Sequence, residues 1–266
     1  MSNMLPMRMV ERPWGRTKLP APFVAPAGQR IGEVWFDPPA ALDQLLVKYI
    51  FTSQALSVQV HPSDEQLPGH GKEECWLILD AEPGARIGIG FRDELDVAAI
   101  RGAALDGSIE QLLAWHPVAA GDFFYIPAGT VHAIGAGLSL IEVQQNSDTT
   151  YRLYDYGRDR PLHLDQGLAV ARTGPHPAAL RRHIAGPQGA SLANGPPFRI
   201  DRIAASPDEA TRHRYAGGPL LVVPLNGAVE LGDQRIDQGN CALAADIADL
   251  AVKEGAYCLI AQPCTP

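Results

Sequence analysis

The chain has 266 residues, 46% of them apolar, enough to bury a core as one large domain or two small ones. Its 22 Lys and Arg against 30 Asp and Glu leave a net charge of −8, which repels a polyanion and argues against general nucleic-acid binding. Apolar runs such as 220–225 fall far short of the roughly 20 residues of a membrane-crossing helix. The first thirty residues carry Arg8, Glu11, Arg12, Arg16 and Lys18 among prolines, with no stretch that reads as a secretory signal, so a cytoplasmic protein without a membrane partner is expected. Four cysteines without a CxxC spacing read as free thiols.

In chain order, 42–51 and 55–60 are rich in branched residues and are separated by the polar Thr52-Ser53-Gln54, which predicts two strands. Further strands are expected at 75–80, 85–90 and 123–126, each closed by Gly, Pro or Asp. From 94 to 115, Leu95, Ala98, Ala99, Leu105, Ile109, Leu112 and Leu113 recur closer to a period of 3.6 than of 2, predicting a short helical insert near 92–115. Residues 173–196, dense in Pro, Gly and His, read as a linker. Beyond it, short apolar runs and an Asn226-Gly227 hairpin signal predict a second β-rich section over 197–266.

Strand after strand with few helices suggests antiparallel jelly rolls. The run GDFFYIPAGTVH places Gly121, Pro127, Gly129 and His132 at the spacing of the second cupin motif, where a strand enters a tight Pro/Gly turn and presents one histidine at a barrel mouth. The expected fold is therefore mainly β: a cupin-like lobe over 1–172 with the short helical insert, and a cupin-like lobe over 197–266.

Gln59 and His61 are two residues apart on a predicted strand and so share a face. Glu74 opens the next strand and His132 follows the Pro127 turn, so all four side chains can reach one ion. Two neutral imidazoles, an amide and a carboxylate leave a divalent ion with a net charge of about +1, still a useful Lewis acid. Zinc suits these donors best, with Mn, Co and Fe as the alternatives. His70, His116, His163, His176, His183 and His213 show no such arrangement and read as solvated or packing residues. The section after the linker holds only His213 and therefore no metal set.

The sequence resembles the type I phosphomannose isomerases, in a short bacterial form. The similarity runs through RPWGRTKL (12–19), GEVW (32–35), LLVKYIF (45–51), LSVQVHPSDE (56–65), GKEECW (71–76), PAGTVHAIGAG (127–137) and IEVQQNSDTTYRLYDYGR (141–158), most of the first 160 residues. The resemblance implies one zinc ion per chain held by Gln59, His61, Glu74 and His132, and a phosphosugar substrate. It further implies Lys72, Glu142 and Arg152 as catalytic residues, with Ser57, Lys72, Arg152 and Arg158 against the substrate. Lys72 shares the strand face of Glu74, and the two arginines supply the local positive charge that an acidic protein needs to hold a phosphate. The implied activity is interconversion of mannose 6-phosphate and fructose 6-phosphate. A metal-containing sugar-binding or regulatory cupin without turnover is the alternative. A cupin dioxygenase fits less well, because Gln59 stands where such a site usually carries a histidine.

Overall fold

The computed structural model describes residues 4–264. In the first half of the chain the strands are β1 (Met7–Arg16), β2 (Ile31–Phe36), β3 (Leu45–Phe51), β4 (Val58–Val60), β5 (Glu74–Ala81) and β6 (Arg86–Phe91). Two short helices, α1 (Val97–Asp106) and α2 (Ile109–Leu112), lead into β7 (Leu113–Pro117), β8 (Asp122–Ile126), β9 (His132–Ile134), β10 (Leu138–Gln145) and β11 (Tyr151–Tyr154). After α3 (Leu164–Val170) come β12 (Arg181–His183), β13 (Ala190–Asn194) and β14 (Phe198–Ile203), then α4 (Glu209–Arg214). The chain closes with β15 (Leu220–Asn226), β16 (Ala228–Leu231), β17 (Gln234–Asp237), β18 (Ala242–Ala244), β19 (Leu250–Val252) and β20 (Tyr257–Pro263).

A seven-stranded sheet in the order β1-β2-β3-β10-β5-β8-β12 faces a five-stranded sheet in the order β11-β4-β9-β6-β7. From β3 to β11 the chain passes repeatedly from one sheet to the other, and the pairings are antiparallel, which is jelly-roll connectivity. A second pair of sheets, β13-β14-β20-β15-β18 and β17-β16-β19, forms the other lobe. The chain is mainly β with two cupin-like lobes, as the sequence pattern implied.

The order of the layers explains why β3 reads LLVKYIF without alternation: every residue in it is buried. Ile50 joins Trp76, Ile78, Ile87, Ile134 and Leu140 inside the first barrel. On the opposite face Val47, Tyr49 and Phe51 join Leu77 and Ile141 against Phe198, Ile200, Leu221, Val223 and Leu259 of the second lobe, so the lobes meet sheet on sheet. A third cluster covers the outer face of the smaller sheet, where Val58 and Val60 pack under Ile100 of α1 and Leu168 of α3.

The helical insert differs from expectation at its end. Residues 113–117 are strand because Leu113, Trp115, His116 and Pro117 pair with β6, and the ladder overrides a helical spacing. The stretch 173–196 carries β12, which extends the first lobe's large sheet beside β8, and β13, which pairs with β14. All four cysteines are free, and Cys75, Cys241 and Cys258 are buried.

Candidate metal centre

Strand alternation sets the geometry. Val58 and Val60 point to the apolar cluster under the helices, so Ser57, Gln59 and His61 point the other way, into the barrel. Register then places Gln59 directly opposite His132 on β9. Glu74, at the start of β5 in the facing sheet, completes the group from across the barrel.

His61 Nε2 lies 3.5 Å from one Glu74 carboxylate oxygen and His132 Nε2 lies 3.3 Å from the other. The three side chains can offer ligand atoms that all lie within 4.8 Å of one another. They are at most 2% exposed. Gln59 touches the same point, its amide nitrogen 3.2 Å from His132 Nε2 while its carbonyl oxygen accepts from the Ser57 hydroxyl at 3.2 Å. An amide rotated by half a turn presents its oxygen instead.

The imidazoles are fixed from behind. His61 Nδ1 lies 2.9 Å from the Thr149 carbonyl oxygen and His132 Nδ1 lies 2.9 Å from that of Thr130. A carbonyl can only accept, so each Nδ1 carries the proton and each Nε2 keeps its lone pair for the centre of the cluster, the usual arrangement behind a metal-binding histidine. His61 Nε2 and both Glu74 oxygens are buried without a well-formed hydrogen bond. Unsatisfied lone pairs converging on one buried point fit a divalent cation.

Electrostatics agree with that donor state. Burial, helped by the Lys72 charge, pushes the His61 pKa down to about 4, and burial also lowers that of His132, so both rings are neutral near pH 7. Burial alone would raise Glu74, but Lys72 and the two histidines outweigh it and hold the carboxylate well below its usual range. For Lys72 burial acts downward, and Glu74 and Glu142 overcome it, so the ammonium is kept. Its Nζ sits 3.2 Å from Glu74 Oε2.

Glu142 lies on β10 beside Trp76 of β5 and Lys48 of β3. Lys48 Nζ donates to one of its oxygens at 2.9 Å and Trp76 Nε1 to the other at 3.0 Å, while Lys48 also reaches Gln144 Oε1 at 2.5 Å. Arg152 and Arg158 sit apart from this group. Arg152 pairs with Gln59 through the backbone, but its guanidinium donates to the Pro161 carbonyl at 2.6 Å. Arg158 bonds Asp155 at 3.0 Å and the Ala55 carbonyl at 2.6 Å, and Arg160 chelates the same Asp155 through two contacts of 2.6 Å. Neither Arg152 nor Arg158 makes an ion pair with Glu74 or Glu142 among the described residues.

No family model matches the chain. Over 140 residues it is 43% identical to mannose-6-phosphate isomerase of Streptococcus mutans, an alignment covering 49% of this chain and 44% of that one. Over 154 residues it is 44% identical to mannose-6-phosphate isomerase ManA of Bacillus subtilis, covering 52% and 46%. The chain thus spans about half the length of the curated relatives it matches. The fold extends much further: a crystal structure of the mannose 6-phosphate isomerase from Bacillus subtilis superposes with a TM-score of 0.76 at 22% identity, covering 98% of this chain and all of that one. A zinc-bound mannose 6-phosphate isomerase structure superposes at 0.70 with 14% identity over 98% of this chain and 99% of its own. In sequence the chain is thus similar to mannose-6-phosphate isomerases over about half its length, and in fold it is similar to solved structures of that name over nearly all of it. Around this group of side chains, sequence reasoning missed Lys48, Trp76, Gln144 and Arg160. Lys48 had a readable signal, a lone charge within an otherwise apolar strand, whereas the partnership of Trp76 with Glu142 depends on β5–β10 register and had none.

Proposed function

We propose that the protein is a zinc-dependent aldose–ketose isomerase interconverting mannose 6-phosphate and fructose 6-phosphate. The observation that carries this reading is the buried group of His61, Glu74 and His132, with both Nδ1 atoms tied to backbone carbonyls. Gln59, His61, Glu74 and His132 are its proposed ligands, and one zinc ion, when bound, supplies a Lewis acid for the sugar oxygens.

The conversion removes a proton from C2 of the aldose and returns one to C1 through an enediol, while a hydroxyl proton passes from O2 to O1, with no net oxidation. Glu142 is the proposed base. Lys48 and Trp76 engage both of its oxygens, so it meets the sugar as an oriented carboxylate. Lys72 is assigned to the sugar oxygens beside Glu74, and Ser57 to the same wall. Arg152 and Arg158 are assigned to the phosphate, with Arg152 also counted in the catalytic set because it positions the substrate. Three arginines around the single carboxylate of Asp155 provide the excess positive charge that a phosphate requires.

In this reading residues 1–172 together with β12 form the metal-binding lobe, and 197–266 together with β13 form a lobe without a metal set among the described residues, the rest of 173–196 connecting them. No described helix is long and apolar enough to cross a membrane, and a cytoplasmic location is proposed. The test is a coupled assay on purified, zinc-loaded protein. Mannose 6-phosphate should be converted to fructose 6-phosphate and free mannose far less efficiently. Retention of zinc without turnover would favour the sugar-binding alternative.

A further inference from the structure

Where the two lobes meet, their sheets do not close completely. A cavity of about 520 Å³ remains between the outer face of β3, β5 and β10 and the second lobe's sheet, with Pro20–Phe23 along one side. It lies on the opposite sheet face from the metal group and towards the other end of the strands: Ser139 of β10 lines it and pairs with Phe51 and Asp80, whereas Glu74 pairs with Gln144 at the far end of β10.

Its walls are mostly apolar, from Phe23, Phe51, Leu77, Ile184, Leu225 and Tyr257, and its volume is in the range of small-molecule sites. Asp80, Ser139, Arg202 and Gln238 break that pattern, and Arg202, Ser139 and Tyr49 each carry a buried polar atom without a hydrogen-bond partner. Arg202 of β14 is 4% exposed and shares the strand face of Phe198 and Ile200, which pack into the seam between the lobes. Its Nε donates to the Gln188 carbonyl at 2.6 Å and its guanidinium carbon lies 5.6 Å from the centre of the Tyr257 ring, but Nη2 is buried with no hydrogen-bond partner. Across the seam, the hydroxyl of Ser139 is likewise buried and unpartnered. Among the described residues no Asp or Glu forms an ion pair with Arg202.

A buried guanidinium cannot relieve its desolvation by losing a proton, and an unpaired one is costly. We propose that the cavity is a binding site for a small organic monocarboxylate with an apolar body, its carboxylate taken by Arg202 and Ser139 from the two lobes. A single cation, with the exposed Asp80 also lining the site, suits one negative charge better than a phosphate dianion. The apolar walls call for a body about the size of one ring.

The probe is 3-phenylpropanoate, titrated calorimetrically into the zinc-loaded protein, with 3-phenylpropanamide as its uncharged counterpart. The carboxylate should bind one per chain and at least about tenfold tighter than the amide. Arg202→Met should remove that advantage, and Leu225→Trp should block binding by filling the cavity with Arg202 still present. Equal affinity for acid and amide, no saturable binding at millimolar concentration, or unchanged affinity in Arg202→Met would overturn the proposal. So would binding lost in His61→Ala and retained in Arg202→Met, since the carboxylate would then sit at the metal group. Far-UV circular dichroism checks the folding of each variant, and should Arg202→Met fail to fold, the acid–amide comparison on unmodified protein decides the matter.

Discussion

The rings of His61 and His132, the proposed metal ligands, are each oriented by a hydrogen bond from Nδ1 to a main-chain carbonyl, so truncation removes a donor that no other described side chain replaces. His61→Ala or His132→Ala should therefore lower zinc content and turnover together, whereas His70→Ala and His116→Ala should change neither; elemental analysis beside the assay distinguishes these outcomes. Arg152→Ala should cut kcat/KM for mannose 6-phosphate by about ten- to a hundredfold with zinc unchanged, the loss of a charge-assisted contact of about 1.5–3 kcal/mol. Arg152→Lys should recover only part, because an ammonium lacks the planar fork. A pH effect follows from His61, whose folded pKa of about 4 lies below its ordinary 6.5 because of burial. The unfolded chain then binds the extra proton, so the stability contributed by the neutral ring is present above pH 6.5 and is lost as pH falls towards 4. Urea titrations of metal-free protein across that window should show the decline, and His61→Gln should reduce its slope, leaving the part that His132 contributes.

Elements deliver these side chains. The Pro127–Thr130 turn joins the two histidines through Gly129, whose N–H donates to the His61 carbonyl at 2.8 Å. Gly129 has φ of 82°, and a Cβ there would meet the Val170 carbonyl oxygen at 2.8 Å. Gly129→Ala should thus cost at least about 1–2 kcal/mol in urea unfolding and reduce zinc affinity by shifting the strand that carries His132. This turn was legible because Pro and Gly announce it. So were β3, β5 and β8, whose apolar runs exceed anything a loop would carry. By contrast β1, an edge strand with most residues exposed or half-buried, is written in Arg and Glu and shows no run to read. Likewise β12 and β13 are hidden within a stretch whose Pro and Gly content signals loop, because short edge strands need only a neighbour's free ladder.

At the scale of the molecule, the convergence of the proposed ligands was legible from strand parity, which brings Gln59 and His61 to one face, and from the cupin-like turn. The positions of Arg152 and Arg158 were not, because Pro161, Ala55 and Asp155, which hold their guanidinium groups, are joined to them by loop geometry without a period. Nor could sequence show that the lobes share one core, in which Phe51 is fully buried against the second lobe's sheet. Phe51→Ala should cost about 3–5 kcal/mol by urea unfolding while leaving the metal group's donors in place. The central claim is that the buried His61, Glu74 and His132 hold the zinc on which isomerisation depends. It is tested most directly by following mannose 6-phosphate turnover through chelation and repletion. Chelated protein should lose its activity along with about one zinc per chain and regain both when zinc is added; full turnover in demonstrably metal-free protein would contradict the account.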